Sequence, residues 1–299
     1  MVNDAHCHFL SETFFRALAR QRTDTGLATD PDDLYRELGW DAPGTAELLA
    51  DRWVREMDAC GVQRAILIAS IPGDEASVAV AAARHPSRLV GFFMLDPGAD
   101  DAVARTQRAL GELGLKGLCL FPAMHHVPLD DDRTRRVVEA AAACPGAAVF
   151  VHCGVLSIGV RGKLGLPSPF DLRLGDPLAV SRLALTFPDV PFLIPHFGAG
   201  LLRETLMAVS TCANIHLDTS SSNSWVRYTP GLTLDAVFAA ALAVAGATRV
   251  LFGSDSSFFP RGWQRGIHAQ QADILNRLDV SASDAALILG GNFDRLLSR

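Results

Sequence analysis

The stretch Ala147-Ala148-Val149-Phe150-Val151-His152 is an apolar run that ends in a histidine. Its apolar residues are continuous rather than alternating, which is typical of a strand buried on both faces of a parallel sheet. Seven other short runs in the chain have the same character. The eight predicted strands are Val2–His8, Ala65–Ser70, Leu89–Leu95, Gly117–Phe121, Ala147–His152, Phe192–His196, Asn214–Asp218 and Val250–Asp255.

Helical patterns alternate with these runs along the whole chain. Eight strands and eight helices in alternation predict a parallel sheet covered on its outer face, and closing that sheet gives an α/β fold, the (β/α)8 TIM barrel. No low-complexity linker or internal repeat divides the sequence, so we expect a single domain over residues 1–299. The predicted helices are Ala46–Ala59, Glu75–Arg84, Ala102–Leu113, Arg133–Ala143, Leu178–Phe187, Leu201–Thr211, Leu234–Ala245 and Trp263–Leu278.

Two long segments that follow predicted strands interrupt this alternation. They run from about Phe9 to Gly44 and from Gly154 to Gly175. Loops on the carboxyl side of barrel strands are where a substrate-covering lid would lie. A lid is therefore the prediction for both segments, and insertions without a function are the alternative.

Composition excludes several classes of partner. The 299 residues contain 27 Lys and Arg against 33 Asp and Glu, a net charge of −6, with no basic block that would bind nucleic acid or an anionic membrane surface. The longest apolar helical stretch, residues 236–247, is shorter than the ~20 residues that cross a bilayer. Six scattered cysteines and no visible secretory signal predict reduced thiols in the cytoplasm. We expect a small-molecule substrate, and a homodimer is left open.

The motif Asp4-Ala5-His6-Cys7-His8 ends the first predicted strand. Because side chains alternate across a strand, His6 and His8 point the same way, into the mouth of the barrel. Two neighbouring imidazoles can bind one metal ion, although a His-x-His pair by itself is weak evidence for one.

The positions of three other residues strengthen the prediction of a metal site. His152, His196 and Asp255 end the fifth, sixth and eighth predicted strands. In a parallel barrel these residues converge with His6 and His8 at the carboxyl end, where barrel enzymes place their active sites. Imidazoles and a carboxylate with room for water suit Zn²⁺ and nearby divalent metals, which activate water or polarise a substrate oxygen.

This constellation resembles the amidohydrolase superfamily. The branch in question contains aminocarboxymuconate-semialdehyde decarboxylase, resorcylate decarboxylases and several lactone and amide hydrolases. The likeness spans the whole chain, and its motifs are specific for the branch but much less so for the reaction. They are Asp4-x-His6-x-His8, Gly114-Leu115-Lys116-Gly117, Val151-His152, His196-Phe197-Gly198-Ala199-Gly200, Phe252-Gly253-Ser254-Asp255 and Gly290-Gly291-Asn292-Phe293-Asp294-Arg295-Leu296-Leu297.

The resemblance implies a role for each of these strand-end residues. His6, His8 and His152 would bind one metal, and Asp255 would be a fourth ligand or a catalytic neighbour of the ion. His196 would be the acid or base. The residues alone do not decide whether Asp255 and His196 are metal ligands or the base.

One departure bears on the number of metal ions. Binuclear relatives carry a carboxylated lysine or another bridging carboxylate at the end of the fourth strand, where this chain has Phe121. Lys116 lies at the opposite end of that strand, about 16 Å away, and cannot bridge two ions. We therefore expect one divalent ion per chain, with zinc as the first choice.

Several loop residues are candidates for substrate binding. An arginine can hold a substrate carboxylate with two parallel hydrogen bonds, although a single loop arginine is more often a surface charge. His125 is likewise more typical of an exposed loop, and aromatic residues near the last strand ends form either a pocket wall or core packing. The candidate contacts are Arg161, Arg173, Arg227, Arg261, His125 and Trp225, with Phe258, Phe259 and Trp263 as further aromatic residues.

Two reactions fit this site. The first hypothesis is a metal-dependent hydrolase of an ester, lactone or amide, and the alternative is nonoxidative decarboxylation of an unsaturated or aromatic acid. We rank hydrolysis first because no arginine adjoins a predicted ligand in the sequence. A noncatalytic binding protein on the same scaffold would show a broken constellation, whereas every expected position is filled here.

Overall fold

Each predicted apolar run forms a strand, and the eight strands pair in sequence order as one parallel sheet. The computed structural model describes residues 1–24, 26–27, 29–220 and 223–297. The sheet curls into a (β/α)8 barrel, so the predicted fold class is confirmed. The strands are β1 Val2–Phe9, β2 Val62–Ala69, β3 Leu89–Leu95, β4 Gly117–Leu120, β5 Ala148–Val151, β6 Phe192–Ile194, β7 Ile215–Asp218 and β8 Val250–Leu251.

All eight predicted helices are present. The helix that begins at Ala102 continues as a short π-helical segment, Arg108–Glu112. Among the described residues, no helix is both long and apolar enough to cross a membrane. The helices are α1 Glu12–Asp24, α2 Pro31–Leu38, α3 Ala46–Cys60, α4 Glu75–Arg84, α5 Ala102–Gln107, α6 Pro122–His125, α7 Asp132–Ala142, α8 Gly159–Lys163, α9 Pro177–Thr186, α10 Leu202–Thr211, α11 Leu234–Ala245, α12 Arg265–Arg277, α13 Ala282–Ala286 and α14 Asn292–Leu297.

Strand β3 shows why the apolar runs are continuous. Phe92 and Met94 point into the barrel, while Phe93 and Leu95 pack in the layer between the sheet and the helices. Both faces of the strand are buried, so both sets of positions are apolar. The neighbouring β4 begins with Gly117, where a Cβ atom would lie 2.2 Å from the Phe92 ring. A larger residue at this position would displace the Phe92 ring.

The barrel closes between β1 and the segment that follows β8. The Asp255 amide donates to the His6 carbonyl (2.9 Å), and the His8 amide donates to the Ser256 carbonyl (2.7 Å). This pairing extends beyond the two residues of β8 and continues to the end of β1. The backbone of Asp255 is therefore fixed beside both histidines of the first motif.

The buried Asp4 carboxylate reinforces this closure. Its Oδ1 accepts from the amides of His6 (2.9 Å) and Ser254 (3.1 Å), and its Oδ2 accepts from the Trp263 indole (2.6 Å). One side chain thus connects β1, the residues after β8 and the loop that leads to α12.

The two long segments predicted as a lid form a cap over one side of the barrel mouth. Helices α1 and α2 of the first segment pack against α8 of the second in a separate apolar cluster that includes Phe15, Leu34, Val160 and Leu164. Residues of both segments line the cavity described below. The cap is therefore one packed unit built from two distant parts of the sequence.

Candidate active site

His6 and His8 lie side by side at the carboxyl end of β1. Their Nε2 atoms are 3.3 Å apart and their ring centroids 5.0 Å apart. The intervening Cys7 is fully buried in the outer apolar layer. The alternation predicted for this strand is confirmed.

Asp255 completes a compact group with the two histidines. Its Oδ1 lies 2.9 Å from His8 Nε2 and 3.7 Å from His6 Nε2. The ligand atoms of the three residues all lie within 4.8 Å of one another. A tetrahedral ion about 2.1 Å from each ligand atom holds those atoms about 3.4 Å apart. The spacing of these three side chains therefore fits one divalent metal ion.

Each histidine is oriented by a partner on its other ring nitrogen. His6 Nδ1 donates to Asp218 Oδ2 (2.7 Å), and His8 Nδ1 lies 2.8 Å from Ser70 Oγ. Ser70 Oγ donates its own proton to the Ile68 carbonyl (3.0 Å), so it accepts from His8. Each ring therefore turns its Nε2 atom toward Asp255, where that nitrogen can bind a metal ion once it has released its proton.

The site gives Asp218 and His6 opposite charges. Burial lowers the pKa of His6, but the Asp218 carboxylate outweighs burial and raises that pKa to about 8. Burial raises the pKa of Asp218, and the His6 ring outweighs it in turn, holding the carboxyl below its usual range. Burial also opposes ionisation of Asp255, yet the hydrogen bond from His8 and the nearby imidazoles hold its pKa well below normal. The two ionised carboxylates, Asp218 and Asp255, therefore attract positive charge to this point, whether it is a proton on His6 or a metal ion that replaces that proton.

A glycine makes room for the contact between Asp218 and His6. A Cβ atom at Gly253 would lie 2.6 Å from Asp218 Oδ1 and 3.0 Å from His6 Cβ. The absence of a side chain at this position lets β7 and β1 bring their residues together across β8.

His196 follows β6 in the left-handed backbone region, with φ 55°. Asp255 shares this uncommon conformation, with φ 58°, and such backbone persists where the surrounding structure holds it in place. The His196 ring is 4% exposed, and its centroid lies 5.0 Å from that of His6. Burial lowers the pKa of His196.

Ser220 offers His196 two kinds of hydrogen bond. His196 Nδ1 lies 2.8 Å from Ser220 Oγ and 3.2 Å from the Ser220 carbonyl oxygen. The hydroxyl can donate to a neutral ring, and the carbonyl can accept from a protonated one. The environment of His196 therefore suits a residue that gains and loses a proton.

His152 lies at the same site but outside the compact group. Its ring centroid is 5.3 Å from that of His196, and the ring stacks on Phe121 at 5.4 Å. Burial lowers its pKa well below the ordinary value. The role of His152 as a ligand stays a prediction.

A cavity of about 610 Å³ opens above these residues. A volume of this size fits a small organic molecule. The five residues predicted from strand ends all line it: His6, His8, His152, His196 and Asp255.

The loop residues predicted to bind substrate divide into two groups. Trp225, Arg227 and Arg261 line the cavity, whereas Arg161 and His125 are not among its lining residues. Arg161 instead donates to Gln21 Oε1 (2.6 Å) and to the Pro167 carbonyl, which connects the two segments of the cap.

Two of the other candidates also depart from the prediction. Both ring nitrogens of His125 are buried and the residue does not line the cavity, so the structure does not bring it to the predicted substrate position. Arg173 forms an ion pair with Asp171 on the surface. Phe258 lines the cavity, whereas Phe259 and Trp263 pack in the outer apolar layer.

Asp218, Ser70 and Ser220 were missed from the sequence. Asp218 is the last residue of the seventh predicted strand, so the strand-end signal that selected Asp255 also applies to it. Ser70 ends the second predicted strand in the same way. Nothing in the local sequence distinguishes Ser220 from other loop serines.

We expect purified protein to hold about one divalent transition metal per chain. Replacing His6 and His8 together by Ala removes two of the three clustered ligands, so the ion should be lost. Elemental analysis measures the metal content, and a matched double variant, His85→Ala with His126→Ala, should keep it. Two tightly held ions per chain would contradict the expectation.

Asp218→Asn should weaken metal binding by about 10- to 100-fold, because a carboxylate behind a metal-bound histidine fixes and strengthens that ligand. A chelator competition titration measures the affinity. Asp273→Asn, an exposed position on α12, is the control. Unchanged affinity in Asp218→Asn would show that this carboxylate does not support the site.

Comparison with known proteins places this chain among relatives of one family. The amidohydrolase family profile matches residues 4–299. A comparison with curated proteins gives no match.

Three solved structures illustrate the likeness in fold. A 5-carboxyvanillate decarboxylase from Novosphingobium aromaticivorans, complexed with manganese and 4-hydroxy-3-methoxy-5-nitrobenzoic acid, is 15% identical, covers 100% of this chain and 96% of that chain, and has a TM-score of 0.67. A probable 2-pyrone-4,6-dicarboxylic acid hydrolase from Acinetobacter baumannii is 12% identical, with 100% and 99% covered and a TM-score of 0.62. An amidohydrolase from Burkholderia multivorans with bound zinc is 15% identical, with the same coverage and TM-score.

These structures share the barrel over nearly their whole length, and the family profile begins at Asp4, the first residue of the Asp-x-His-x-His motif. This chain belongs to the amidohydrolase family.

Proposed function

We propose that this protein is a metal-dependent hydrolase that breaks an ester, lactone or amide bond of a small organic molecule. The observation that carries the proposal is the compact group of His6, His8 and Asp255, which lies with His196 in one cavity. A divalent transition metal bound there would activate water and polarise the substrate oxygen.

The metal-binding residues in this proposal are His6, His8, Asp255 and His152. Two imidazole nitrogens and a carboxylate oxygen are ligands that zinc accepts, which supports zinc as the ion. The decarboxylase named above contains manganese and the Burkholderia amidohydrolase contains zinc, so a divalent ion fits either comparison.

His196 is the proposed proton-transfer residue. Its Nδ1 is occupied by Ser220, which leaves Nε2 as the nitrogen that exchanges a proton with the substrate. In hydrolysis this ring would protonate the leaving oxygen or nitrogen. Asp255, as an ionised carboxylate, would accept a proton from the attacking water.

Decarboxylation is the second candidate, and a specific contact supports it. The sequence favoured hydrolysis because no arginine adjoins a predicted ligand, yet Arg261 Nη2 lies 3.3 Å from the carbonyl oxygen of Asp255. A guanidinium at this place could hold a substrate carboxylate. His196 would then protonate the ring carbon, after which the bond to the carboxylate breaks and CO₂ leaves.

A substrate panel with the zinc- and manganese-loaded protein separates the two reactions. We expect turnover of at least one aryl ester, lactone or acylated amine, measured as acid release at constant pH. Hydroxybenzoic acids are tested in parallel by CO₂ release. Release of CO₂ without any hydrolysis would replace the first proposal by the second.

His196→Ala should keep most of the bound metal and lose roughly 100-fold or more in turnover, the usual scale for general acid–base catalysis. Metal content and turnover are measured on the same sample. His85→Ala, at the end of α4, is the control. Loss of metal together with activity would make His196 a ligand, and unchanged turnover would remove it from the mechanism.

A further inference from the structure

The charges that line the cavity differ from those of the chain as a whole. The protein carries a net charge of −6, yet the described lining residues include one carboxylate, Asp255, and three cations, Lys163, Arg227 and Arg261. A bound divalent ion would add to this positive charge. The cavity is therefore suited to attract an anion.

Two of these cations belong to a stack with two aromatic rings. The Arg261 guanidinium lies 4.4 Å from the centroid of the Phe258 ring, and Phe258 stacks on Trp40 at 3.9 Å with an interplanar angle of 10°. Lys163 Nζ lies 5.8 Å from the centroid of the Trp40 ring. We call these four residues the cation–aromatic stack.

The cation–aromatic stack connects the cap to the loop after β8. Trp40 belongs to the first cap segment and Lys163 to the second, while Phe258 and Arg261 follow β8. A backbone hydrogen bond from the Asp41 amide to the Phe259 carbonyl (3.0 Å) holds the two loops together. The position of the Arg261 guanidinium therefore depends on the cap.

Arg261 is held in place by two oxygen acceptors on its own loop. Its Nη2 donates to Ser257 Oγ (2.8 Å) and to the Asp255 carbonyl (3.3 Å). No described carboxylate forms a salt bridge with the guanidinium, and the side chain is exposed to solvent at the cavity. A guanidinium has five N–H groups, so donors remain for an incoming anion.

We propose that Arg261 is a specificity-determining residue that binds a carboxylate of the substrate, and that the cation–aromatic stack positions it. This inference rests on the proposed function, because only an enzyme would treat the bound molecule as a substrate. The substrate is then a carboxylate-bearing molecule whose acid group reaches Arg261 beside the proposed metal ligand Asp255. The cap contributes to the choice of substrate through Trp40.

The test measures the binding of two probes, benzoate and its neutral analogue benzamide, to the metal-loaded protein by calorimetry. Both probes have the same ring and nearly the same shape, so the ratio of their affinities cancels losses that do not depend on charge. In Arg261→Met the preference for benzoate should fall about 10- to 100-fold, the range of hydrogen bonds to charged groups. Arg261→Lys should fall between the two, because an ammonium lacks the planar fork.

The control is Arg182→Met, an exposed arginine on α9, which should keep the full preference. Arg261→Gln is a second variant in case the Met variant does not fold, as judged by circular dichroism. A benzoate preference that is the same in wild type, Arg261→Met and Arg261→Gln would overturn the proposal.

Trp40→Leu and Phe258→Leu test the positioning role, and each should lower the benzoate preference with Arg261 still present. Phe187→Leu, at the end of α9 and away from the cavity, should leave it unchanged. If the stack variants keep the wild-type preference, positioning by the cap is wrong.

The ratio of the two binding affinities does not depend on turnover, so this inference and the proposed function can fail separately. A preference that depends on Arg261 in a protein that turns over no substrate would contradict the proposed function and leave the anion site intact.

Discussion

The buried carboxylate of Asp4 connects the parts of the barrel on which the candidate site depends. It is fully buried, and its three hydrogen bonds reach β1, the residues after β8 and the Trp263 indole. Burial raises the pKa of Asp4 above its ordinary value, and the hydrogen bonds that the carboxylate accepts offset only part of that shift. A buried carboxylate without these donors would be costly, so the three partners must come together when the barrel closes.

Closure at this point sets the geometry of the candidate metal centre. The two histidines of β1 are local neighbours, but the carboxylate of Asp255 comes from the other end of the chain. Its backbone bond to His6 brings Oδ1 to 2.9 Å from His8 Nε2. This pairing maintains the left-handed backbone at Asp255, so the Asp255 carboxylate is in position without a bound ion.

The cap provides the second constraint. The barrel ends are similar in many proteins of this architecture, and differences in loops change the chemistry that one barrel supports. Here two distant insertions share one apolar cluster, and Trp40 extends from that cluster to Phe258. The cap therefore has two sides. One side faces solvent, and the other, which includes Trp40, faces the cavity.

Local sequence was enough to predict the barrel and five of its strand-end residues. Strand periodicity and burial act over a few residues, so Val149-Phe150-Val151 specifies a buried strand wherever it lies, and parallel strands must place residues such as His152 and Asp255 at one end. The contacts between side chains were decided only by the tertiary structure. Asp218 reaches His6 because Gly253 leaves space for it, and Arg261 rather than Arg161 faces the cavity because the cap uses Arg161 to hold its own segments. These choices depend on residues more than 100 positions apart, and the physical reason is that packing and hydrogen-bond partners are selected by distance in space, which sequence spacing does not encode.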